Sequence, residues 1–416
     1  MRKVAFTNAT VFDSRKGALR PHATVVVDGG KIAAVESGAF ATGDAEVHDL
    51  KGRFLLPGLI DCHVHVTAVH HDTLRLAMQP PSLITAQAKD VLEGMLARGF
   101  TSVRDAAGAD FGLREAVERG LFAGPRLFIS GWPLTQTGGH ADSRPKGAQT
   151  MFCTCAGLGL VGAIADGVGE VRKAAREQLR NGADQIKVMA GGGVASPTDP
   201  IDGTQYSLEE LRAICEEADA ANTYVMAHAY SPASITRAVQ SGVRTIEHGN
   251  LLDTATARTM KAEGAFLVPT LATYAALADE GRKLGWSEDM YAKLERVRHL
   301  GVEAIRIAKS EGVPIAFGTD LLGEMHARQA SEYALRAQAM TPVEILQSAT
   351  SVAARVLRQE GKLGVVEPGA WADLLVVKDD PTLSLAPLAA PETGLLAVMK
   401  AGRFYRNRLA TGPISP

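Results

Sequence analysis

The sequence predicts an α/β protein built on a (β/α)8 TIM barrel, with a small β-sandwich domain formed by both termini. In the middle of the chain, eight apolar strand-like runs alternate with helical patterns. Parallel strands need crossover connections, so this alternation is typical of a parallel barrel. The runs are, in chain order, 59–66, 101–105, 127–130, 185–190, 224–229, 245–247, 266–271 and 315–318.

Both ends of the chain have a different pattern, of short strands separated by turns. Near the start, strands are predicted over 4–8, 24–27 and 31–35, with Asp28-Gly29-Gly30 as a hairpin turn. Strand-like runs return at 372–377 and 397–400. We therefore expect one β domain made of residues 1–56 and 361–416, and a barrel made of residues 57–360.

Two of the predicted helices carry clear start signals. Ser207 and Glu210 have the spacing of a capping box at the start of one helix. Asp166 is predicted to cap another helix, and Gly182 is placed to end it. The apolar stripe of that second helix consists of Val168, Val171, Ala175 and Leu179.

Composition excludes several classes of protein. The 416 residues are 46% hydrophobic and 22% charged, with a formal net charge of −2, and no polybasic segment suggests a nucleic-acid partner. No apolar stretch is long enough to cross a membrane, and the first residues lack the apolar core of a signal peptide. A cytoplasmic protein is expected, with a removed leader as the alternative.

The cysteines indicate neither a disulfide scaffold nor a zinc knuckle. There are only four, and they are scattered. Cys153 and Cys155 have the spacing of half a metal knuckle, but no matching second pair exists in the sequence. Ordinary thiols are predicted.

Six metal-type side chains lie at or near the ends of the predicted strands. His63 and His65 are two apart at the end of the first run, so a strand would point both to the same face. The others, at the ends of later runs, are Lys187, His228, His248 and Asp320. Singly, these residues read as core histidines, a snorkelling lysine and a helix-capping aspartate. Together on one barrel rim they predict a site for two divalent ions such as zinc.

Lys187 needs a separate explanation, because an ammonium group would repel a cation. Burial and nearby metal ions favour the neutral amine, which reacts with carbon dioxide to form an anionic carbamate. A carboxylated Lys187 could then bridge both ions.

Several motifs together resemble the amidohydrolase superfamily over essentially the whole chain. They are 56–65 (LPGLIDCHVH), Lys187, the two later histidines, 318–320 (GTD) and 363–373 (LGVVEPGAWAD). Finer motifs at 137–142 (TGGHAD), 191–197 (GGGVASP) and 321–324 (LLGE) look like its binuclear zinc carboxypeptidase and prolidase-like branch. That branch includes Xaa-Pro dipeptidases and amidohydrolases that cleave ochratoxin A. The loop 151–155 departs from it, being shorter and less cysteine-rich, which bears on substrate preference.

The resemblance implies a ligand for each zinc. His63, His65 and Asp320 would hold one zinc, His228 and His248 the other, and carboxylated Lys187 would bridge them. Two such ions lower the pKa of a shared water to roughly 7 and present hydroxide to an amide carbonyl. Asp320 is then placed to act as base and afterwards as acid.

Four side chains are candidates for contact with the substrate. His140 is the candidate donor to the developing oxyanion, with a solvent-facing histidine as the alternative. Tyr230 lies two residues beyond His228, hence on the same strand face, and could bind the substrate carboxylate, or be only an aromatic rim contact. His326 and Arg328, after the last run, are further candidates for that carboxylate, although Arg328 also reads as a surface charge.

The sequence thus predicts a binuclear zinc amidohydrolase that releases a C-terminal amino acid. The expected partner is a small amide or dipeptide, either an Xaa-Pro dipeptide or an N-acyl or aryl amino acid such as ochratoxin A. Alternatives are a cyclic-amide or imidazolone hydrolase and a non-catalytic barrel scaffold; Lys187 argues against a one-metal deaminase. Relatives suggest a homo-oligomer, with an octamer as one option.

Overall fold

The part of the chain that can be described covers nearly all of the predicted elements. A computed structural model describes residues 3–38, 40–144, 158–196, 199–281, 283 and 285–409. The loop 151–155, which contains Cys153 and Cys155, lies outside the described residues, as does Pro197.

The strands fall into a terminal sheet and a barrel. They are, in chain order, β1 (Val4–Asp13), β2 (Ala18–Asp28), β3 (Lys31–Ser37), β4 (Glu46–Asp49), β5 (Phe54–Pro57), β6 (Leu59–Val64), β7 (Phe100–Asp105), β8 (Arg126–Ile129), β9 (Leu134–Thr135), β10 (Ala163–Ile164), β11 (Ile186–Met189), β12 (Val225–Ala229), β13 (Thr245–His248), β14 (Phe266–Val268), β15 (Leu374–Val377), β16 (Leu395–Lys400) and β17 (Arg403–Asn407).

Most of the helices belong to the barrel, whereas the last two lie between β15 and β16 of the terminal sheet. They are, in chain order, α1 (Thr73–Ala77), α2 (Pro81–Ala97), α3 (Phe111–Glu118), α4 (Val168–Arg180), α5 (Leu208–Ala220), α6 (Pro232–Gln240), α7 (Thr254–Ala262), α8 (Leu271–Glu280), α9 (Glu288–Arg298), α10 (Gly301–Ser310), α11 (Ser331–Arg336), α12 (Pro342–Ser348), α13 (Ser351–Val356), α14 (Ala386–Ala389) and α15 (Pro391–Gly394). A 3-10 helix spans Gly323–Arg328. Among the described residues, none of these helices has the length and apolar character that a membrane crossing requires.

Strands from both ends of the chain form the terminal sheet. Its order is β17-β16-β15-β5-β1-β2-β3, with β4 paired to β1. The predicted hairpin turn joins β2 to β3, and Gly29 and Gly30 both have positive φ there, at 58° and 84°. Phe6 and Val25 share one hydrophobic cluster with Val376 and Met399, so the sheet closes over a common core. Strands from both termini thus share one sheet and one core, in keeping with the predicted fold class.

Parallel strands surround the barrel core. β6, β7 and β8 pair in order, and so do β11, β12, β13 and β14. The short strands β9 and β10, which were not predicted, extend the second sheet beside β11. Buried aliphatic and aromatic side chains, such as Leu92, Val103, Ile246 and Phe317, fill the space between strands and helices.

The eighth predicted run, 315–318, is not a regular strand. Ile315 forms only an isolated parallel bridge with Leu267. The run still lies between β14 and β6, because the Ala316 N–H donates to the Leu267 carbonyl (2.9 Å) and the Cys62 N–H donates to the Phe317 carbonyl (2.8 Å). It therefore occupies the position of an eighth barrel strand with little regular pairing.

The two predicted helix starts have different outcomes. At α5 the capping box is present, since the Ser207 Oγ accepts from the Glu210 N–H and the Glu210 carboxylate accepts from the Ser207 N–H. The expectation for Asp166 is wrong, because α4 has Gly167 as its N-cap. The Asp166 carboxylate instead accepts hydrogen bonds from the backbone and hydroxyl of Thr137. It is thus committed to the loop after β9.

Candidate metal centre and active site

The predicted metal-type residues meet at the carboxyl-terminal rim of the barrel. His63 lies in β6 and His65 follows it, while Lys187 lies in β11 and His228 in β12. The next strand, β13, ends at His248. Parallel pairing sets Met189 beside His228 and Ala229 beside His248, which brings these strand ends to one edge. The same edge is where barrel enzymes place their catalytic groups.

Asp320 lies at the middle of the group. Its Oδ1 is 3.1 Å from the His65 Nε2 and 3.5 Å from the His63 Nε2. Its Oδ2 is 3.9 Å from the His248 Nδ1. The ligand atoms of His63, His65 and Asp320 all lie within 4.8 Å of one another.

His228, His248 and Lys187 lie next to the group formed by His63, His65 and Asp320. The rings of His63 and His248 are 4.9 Å apart between centroids, and those of His248 and His228 are 4.6 Å apart. Lys187 lines the same cavity of about 300 Å³ as these histidines and Asp320. The structure therefore brings all six predicted residues together.

Burial and charge leave these side chains in forms that suit metal ligands. Burial lowers the pKa of His228 and of His248 well below the usual range, so both imidazoles are neutral. Burial also lowers the pKa of Lys187, to about 8. Burial opposes ionisation of Asp320, but His63 and His65 hold its pKa well below the ordinary value. Burial and Lys187 oppose protonation of His63, but Asp320 and Glu247 raise its pKa above the ordinary value. The neutral imidazoles of His228 and His248, the Asp320 carboxylate and a lysine amine that deprotonates easily suit zinc-like ions.

Hydrogen bonds to neighbouring protein groups orient the rings of His63 and His65. His63 Nδ1 lies 2.7 Å from the Glu247 Oε2, and Glu247 pairs with Arg104 at 2.9 Å. Burial opposes ionisation of Glu247, but Arg104 and His63 lower its pKa to about 2, so it remains a carboxylate. The ring of His65 bonds the Ala107 carbonyl at 3.1 Å. Such partners fix ring orientation, which leaves the other nitrogen for a metal.

Two of the candidate ligands adopt the left-handed backbone conformation. His248 has φ 71° and Asp320 has φ 56°. Positive φ is uncommon for residues other than glycine and costs on the order of 1–3 kcal/mol. The Asp320 N–H donates to the His63 carbonyl at 2.9 Å, which fixes this turn opposite the first histidine. Strain at two converging ligands is consistent with a functional site.

His140 and Tyr230 also line the cavity. The His140 ring stacks on the His228 ring, with centroids 4.3 Å apart and an interplanar angle of 18°. Tyr230 lies 4.9 Å from His228 between ring centroids, and its hydroxyl accepts a hydrogen bond from the Tyr274 hydroxyl at 2.9 Å. Burial raises the pKa of Tyr230, so its hydroxyl keeps its proton.

His326 and Arg328 are placed elsewhere, which corrects their expected position at the site. His326 is buried, and its Nε2 bonds the Ala68 carbonyl at 3.1 Å. Arg328 pairs with Asp279 and Glu280 at 2.5 and 3.2 Å. Neither is among the described residues that line the cavity. The polar groups of both side chains are thus taken by neighbouring protein groups.

Several lining residues were not predicted. Arg144 lines the cavity, and its guanidinium pairs with the Asp142 carboxylate at 2.8 and 2.6 Å. An apolar wall faces the polar centre, and its residues include Leu160, Val194, Leu277, Trp286 and Leu322. Apart from its proximity to the TGGHAD motif, Arg144 carried no signal in the sequence. The apolar wall is assembled from separate loops, which periodicity does not connect.

A barrel with a buried rim of histidines, a lysine and an aspartate defines the class of a metal-dependent hydrolase. The model of the amidohydrolase family matches residues 54–404, and the chain belongs to that family. The predicted superfamily and fold class are thereby confirmed, and the protein is a hydrolytic enzyme. The prolidase-like branch is confirmed by relatives of the chain, namely ochratoxinase and solved prolidases.

The chain is similar in sequence and structure to several known hydrolases. The chain is 34% identical over 367 residues to ochratoxinase of Aspergillus niger, a match that covers 85% of this chain and 76% of ochratoxinase. A solved prolidase in complex with N-methylphosphonate-L-proline is 46% identical with a TM-score of 0.94, covering 97% of this chain and 100% of that one. A solved Xaa-Pro dipeptidase with methionine in its active site is 29% identical with a TM-score of 0.88, again covering 97% and 100%. These similarities support hydrolysis of an amide or peptide bond.

Proposed function

We propose that this protein is a binuclear metal amidohydrolase that releases a C-terminal amino acid from its substrate. The substrate is an Xaa-Pro dipeptide or an N-acyl or aryl amino acid, with ochratoxin A included in the latter class. The convergence of four histidines, Asp320 and Lys187 on one cavity carries the proposal. The prolidase and ochratoxinase relatives support the choice of substrate class.

The metal ligands are assigned as the resemblance to the amidohydrolase superfamily implies. His63, His65 and Asp320 would hold one ion, His228 and His248 the other, and Lys187 would bridge them as a carbamate. The carbamate forms when the neutral amine adds to carbon dioxide and loses a proton. The lowered pKa of Lys187, about 8 because of burial, makes the neutral amine accessible near neutral pH. When bound, two such ions supply Lewis acidity toward an amide carbonyl and activate water as a nucleophile.

Asp320 is the proposed proton carrier. Its two oxygens face different histidines, His65 on one side and His248 on the other. The carboxylate stays ionised because His63 and His65 outweigh its burial. It can therefore accept a proton from the attacking water and pass it to the departing nitrogen.

His140 and Tyr230 are assigned to substrate groups. A nitrogen of the His140 ring would donate to the oxygen of the carbonyl as negative charge develops there. Tyr230 already accepts from Tyr274, so its own hydroxyl proton is left to donate to the substrate carboxylate. Leu277 and Trp286 pack in one apolar cluster with Tyr230, which suits a proline or aromatic ring on the released amino acid.

A substrate panel tests this proposal. Zinc-reconstituted protein is incubated with Xaa-Pro dipeptides, N-acyl amino acids, ochratoxin A and hydantoins, and the released amines are assayed. Turnover of a dipeptide or N-acyl amino acid is expected, with loss of that turnover in Asp320→Asn. Turnover of hydantoins alone would favour a cyclic-amide hydrolase, while no turnover with two zinc ions bound would favour a non-catalytic scaffold.

A further inference from the structure

A buried carboxylate outside the metal ligands faces the His140 ring. Asp199, in the loop between β11 and α5, is only 4% exposed. Its Oδ2 accepts from the Gly193 N–H and from the Gln205 Nε2, both at 3.0 Å. The Asp199 carbonyl also accepts from the Lys293 Nζ at 2.9 Å, which ties this loop to α9. The carboxylate is thus held by two donors of its own loop, and the loop is held by α9.

Gln205 contacts the backbone of His140, and Asp199 contacts its ring. The Asp199 Oδ2 is 3.4 Å from the His140 Nδ1. This distance allows an ion pair but is longer than a typical hydrogen bond. Gln205 connects the two residues, because its Oε1 accepts from the His140 N–H at 2.9 Å while its Nε2 donates to Asp199. Catalytic hydrogen bonds are commonly long without substrate and tighten when it binds.

Gly193 leaves room for the His140 ring. A Cβ added at Gly193 would lie 1.8 Å from the His140 Cε1, which no real contact allows. The ring also stacks on His228 at 4.3 Å. Glycine is therefore required here by the position of the imidazole.

We propose that Asp199 is a positioning residue for the amide hydrolysis described above, holding His140 through Nδ1 so that Nε2 is the nitrogen available to the substrate carbonyl. This inference rests on the proposed function, which gives His140 its role. A carboxylate on one ring nitrogen orients a catalytic imidazole in the same way in other hydrolases. Because the oxyanion develops only in the transition state, loss of this orientation should lower kcat more than it changes KM.

Steady-state kinetics on the zinc-loaded enzyme provide the first test, using the substrate that the panel identifies. Asp199→Asn is expected to lower kcat by ~10- to 100-fold with little change in KM, as for other orienting partners. Asp202→Asn is the matched control, because Asp202 lies in the same loop but pairs with Arg296 at the surface and should leave kcat unchanged. In a His140→Ala background, Asp199→Asn should have no further effect. An equal loss of kcat in that background, or in Asp202→Asn, would overturn the proposal.

Gly193→Ala tests the same geometry from the opposite side. The added methyl group should displace His140 and lower kcat, and the loss should disappear when His140→Ala removes the ring. If Gly193→Ala lowers kcat equally with and without the ring, the placement of His140 is wrong.

Crystal structures of the wild type and of Asp199→Ala give a readout that does not need activity. The His140 ring should leave its stacked position on His228 in the variant, and an unmoved ring would contradict the inference. Should no panel substrate be turned over, the proposed function fails, but these two structures still decide whether Asp199 positions His140.

Discussion

At the scale of single residues, two of the proposed ligands are oriented by partners outside their own strands. His63 is oriented by Glu247, which lies 184 positions further along the chain. His248 is oriented by Thr270, whose hydroxyl lies 2.8 Å from its Nδ1. The ligand types could be recognised by their spacing at strand ends, whereas their partners have no such spacing. An orienting residue is visible only when the strands are assembled.

The role of Lys187 can be tested by its removal. We expect Lys187→Ala to lose bound zinc and turnover, because the proposed bridge between the two ions disappears. The loss of metal affinity should exceed the ~10- to 100-fold that is typical for an outer partner of a ligand. Zinc per subunit, measured by elemental analysis after dialysis, checks this result.

Lys400 offers a control for Lys187, since it is also a buried lysine but lies in β16 of the terminal sheet and donates to the Gly124 carbonyl. Lys400→Met should keep its zinc. If Lys187→Ala binds as much zinc as the wild type, the proposal that a Lys187 carbamate bridges the ions is wrong.

At the scale of elements, local signals succeeded where the side chain had no competing partner. Ser207 caps α5 as its spacing predicts. Asp166 has an equally suitable side chain for capping, but Thr137 of another loop takes its carboxylate. Within the stripe predicted for α4, Val171 and Ala175 are buried, whereas Val168 at the first position is 38% exposed.

Removal of the α5 cap should destabilise the protein without changing its chemistry. Ser207→Ala is expected to lower the free energy of unfolding by about 1 kcal/mol, because the Glu210 N–H loses its acceptor. Denaturant unfolding measures the change, and turnover should match the wild type. Ser310→Ala, at the end of α10, is the control and should cost much less; equal stability of both variants would argue against the capping box.

At the scale of the whole molecule, the terminal sheet and the catalytic barrel are joined at the first site strand. β5 of the sheet and β6 of the barrel are separated only by Gly58, where a Cβ would lie 2.1 Å from the Thr101 Oγ1. The Gly58 N–H donates to the Asp373 carbonyl at 2.7 Å. Arg126 of the barrel pairs with the Asp373 carboxylate at the same distance. The strand that carries His63 is thus anchored directly to the sheet formed by both termini.

Acid should destabilise the folded chain through His48 of the terminal domain. This ring is fully buried, 5.9 Å from Phe6 and 5.4 Å from Phe404 between centroids. Burial lowers its pKa, although Glu46 opposes the shift. In the unfolded chain a histidine titrates near pH ~6.5, so below that pH the unfolded state binds a proton that the folded state does not. Stability therefore falls as the pH falls from about 6.5 toward the folded-state pKa.

His48→Phe should remove this contribution while keeping an aromatic ring in the same place. Denaturant unfolding at pH values between about 7 and 5 is expected to show a smaller loss of stability in the variant. An identical pH dependence in both proteins would mean that the pKa of His48 is the same in the folded and unfolded states.

The sequence by itself determined the fold class, the contribution of both termini to the terminal sheet, and the residue types of the candidate metal centre. Strand and helix periodicity are properties of neighbouring residues, and a ligand at a strand end lies on the rim of any parallel barrel. Seven of the eight predicted runs overlap an observed barrel strand.

Only the tertiary structure decided how these parts meet. It left the run 315–318 nearly unpaired, put Arg144 and Trp286 on the cavity wall, and directed Arg328 toward Asp279. It also set Asp199 against His140, although 59 residues separate the two in the chain. The physical reason is that burial, charge pairing and ring orientation depend on distances between loops of different strands, and no local pattern encodes those distances.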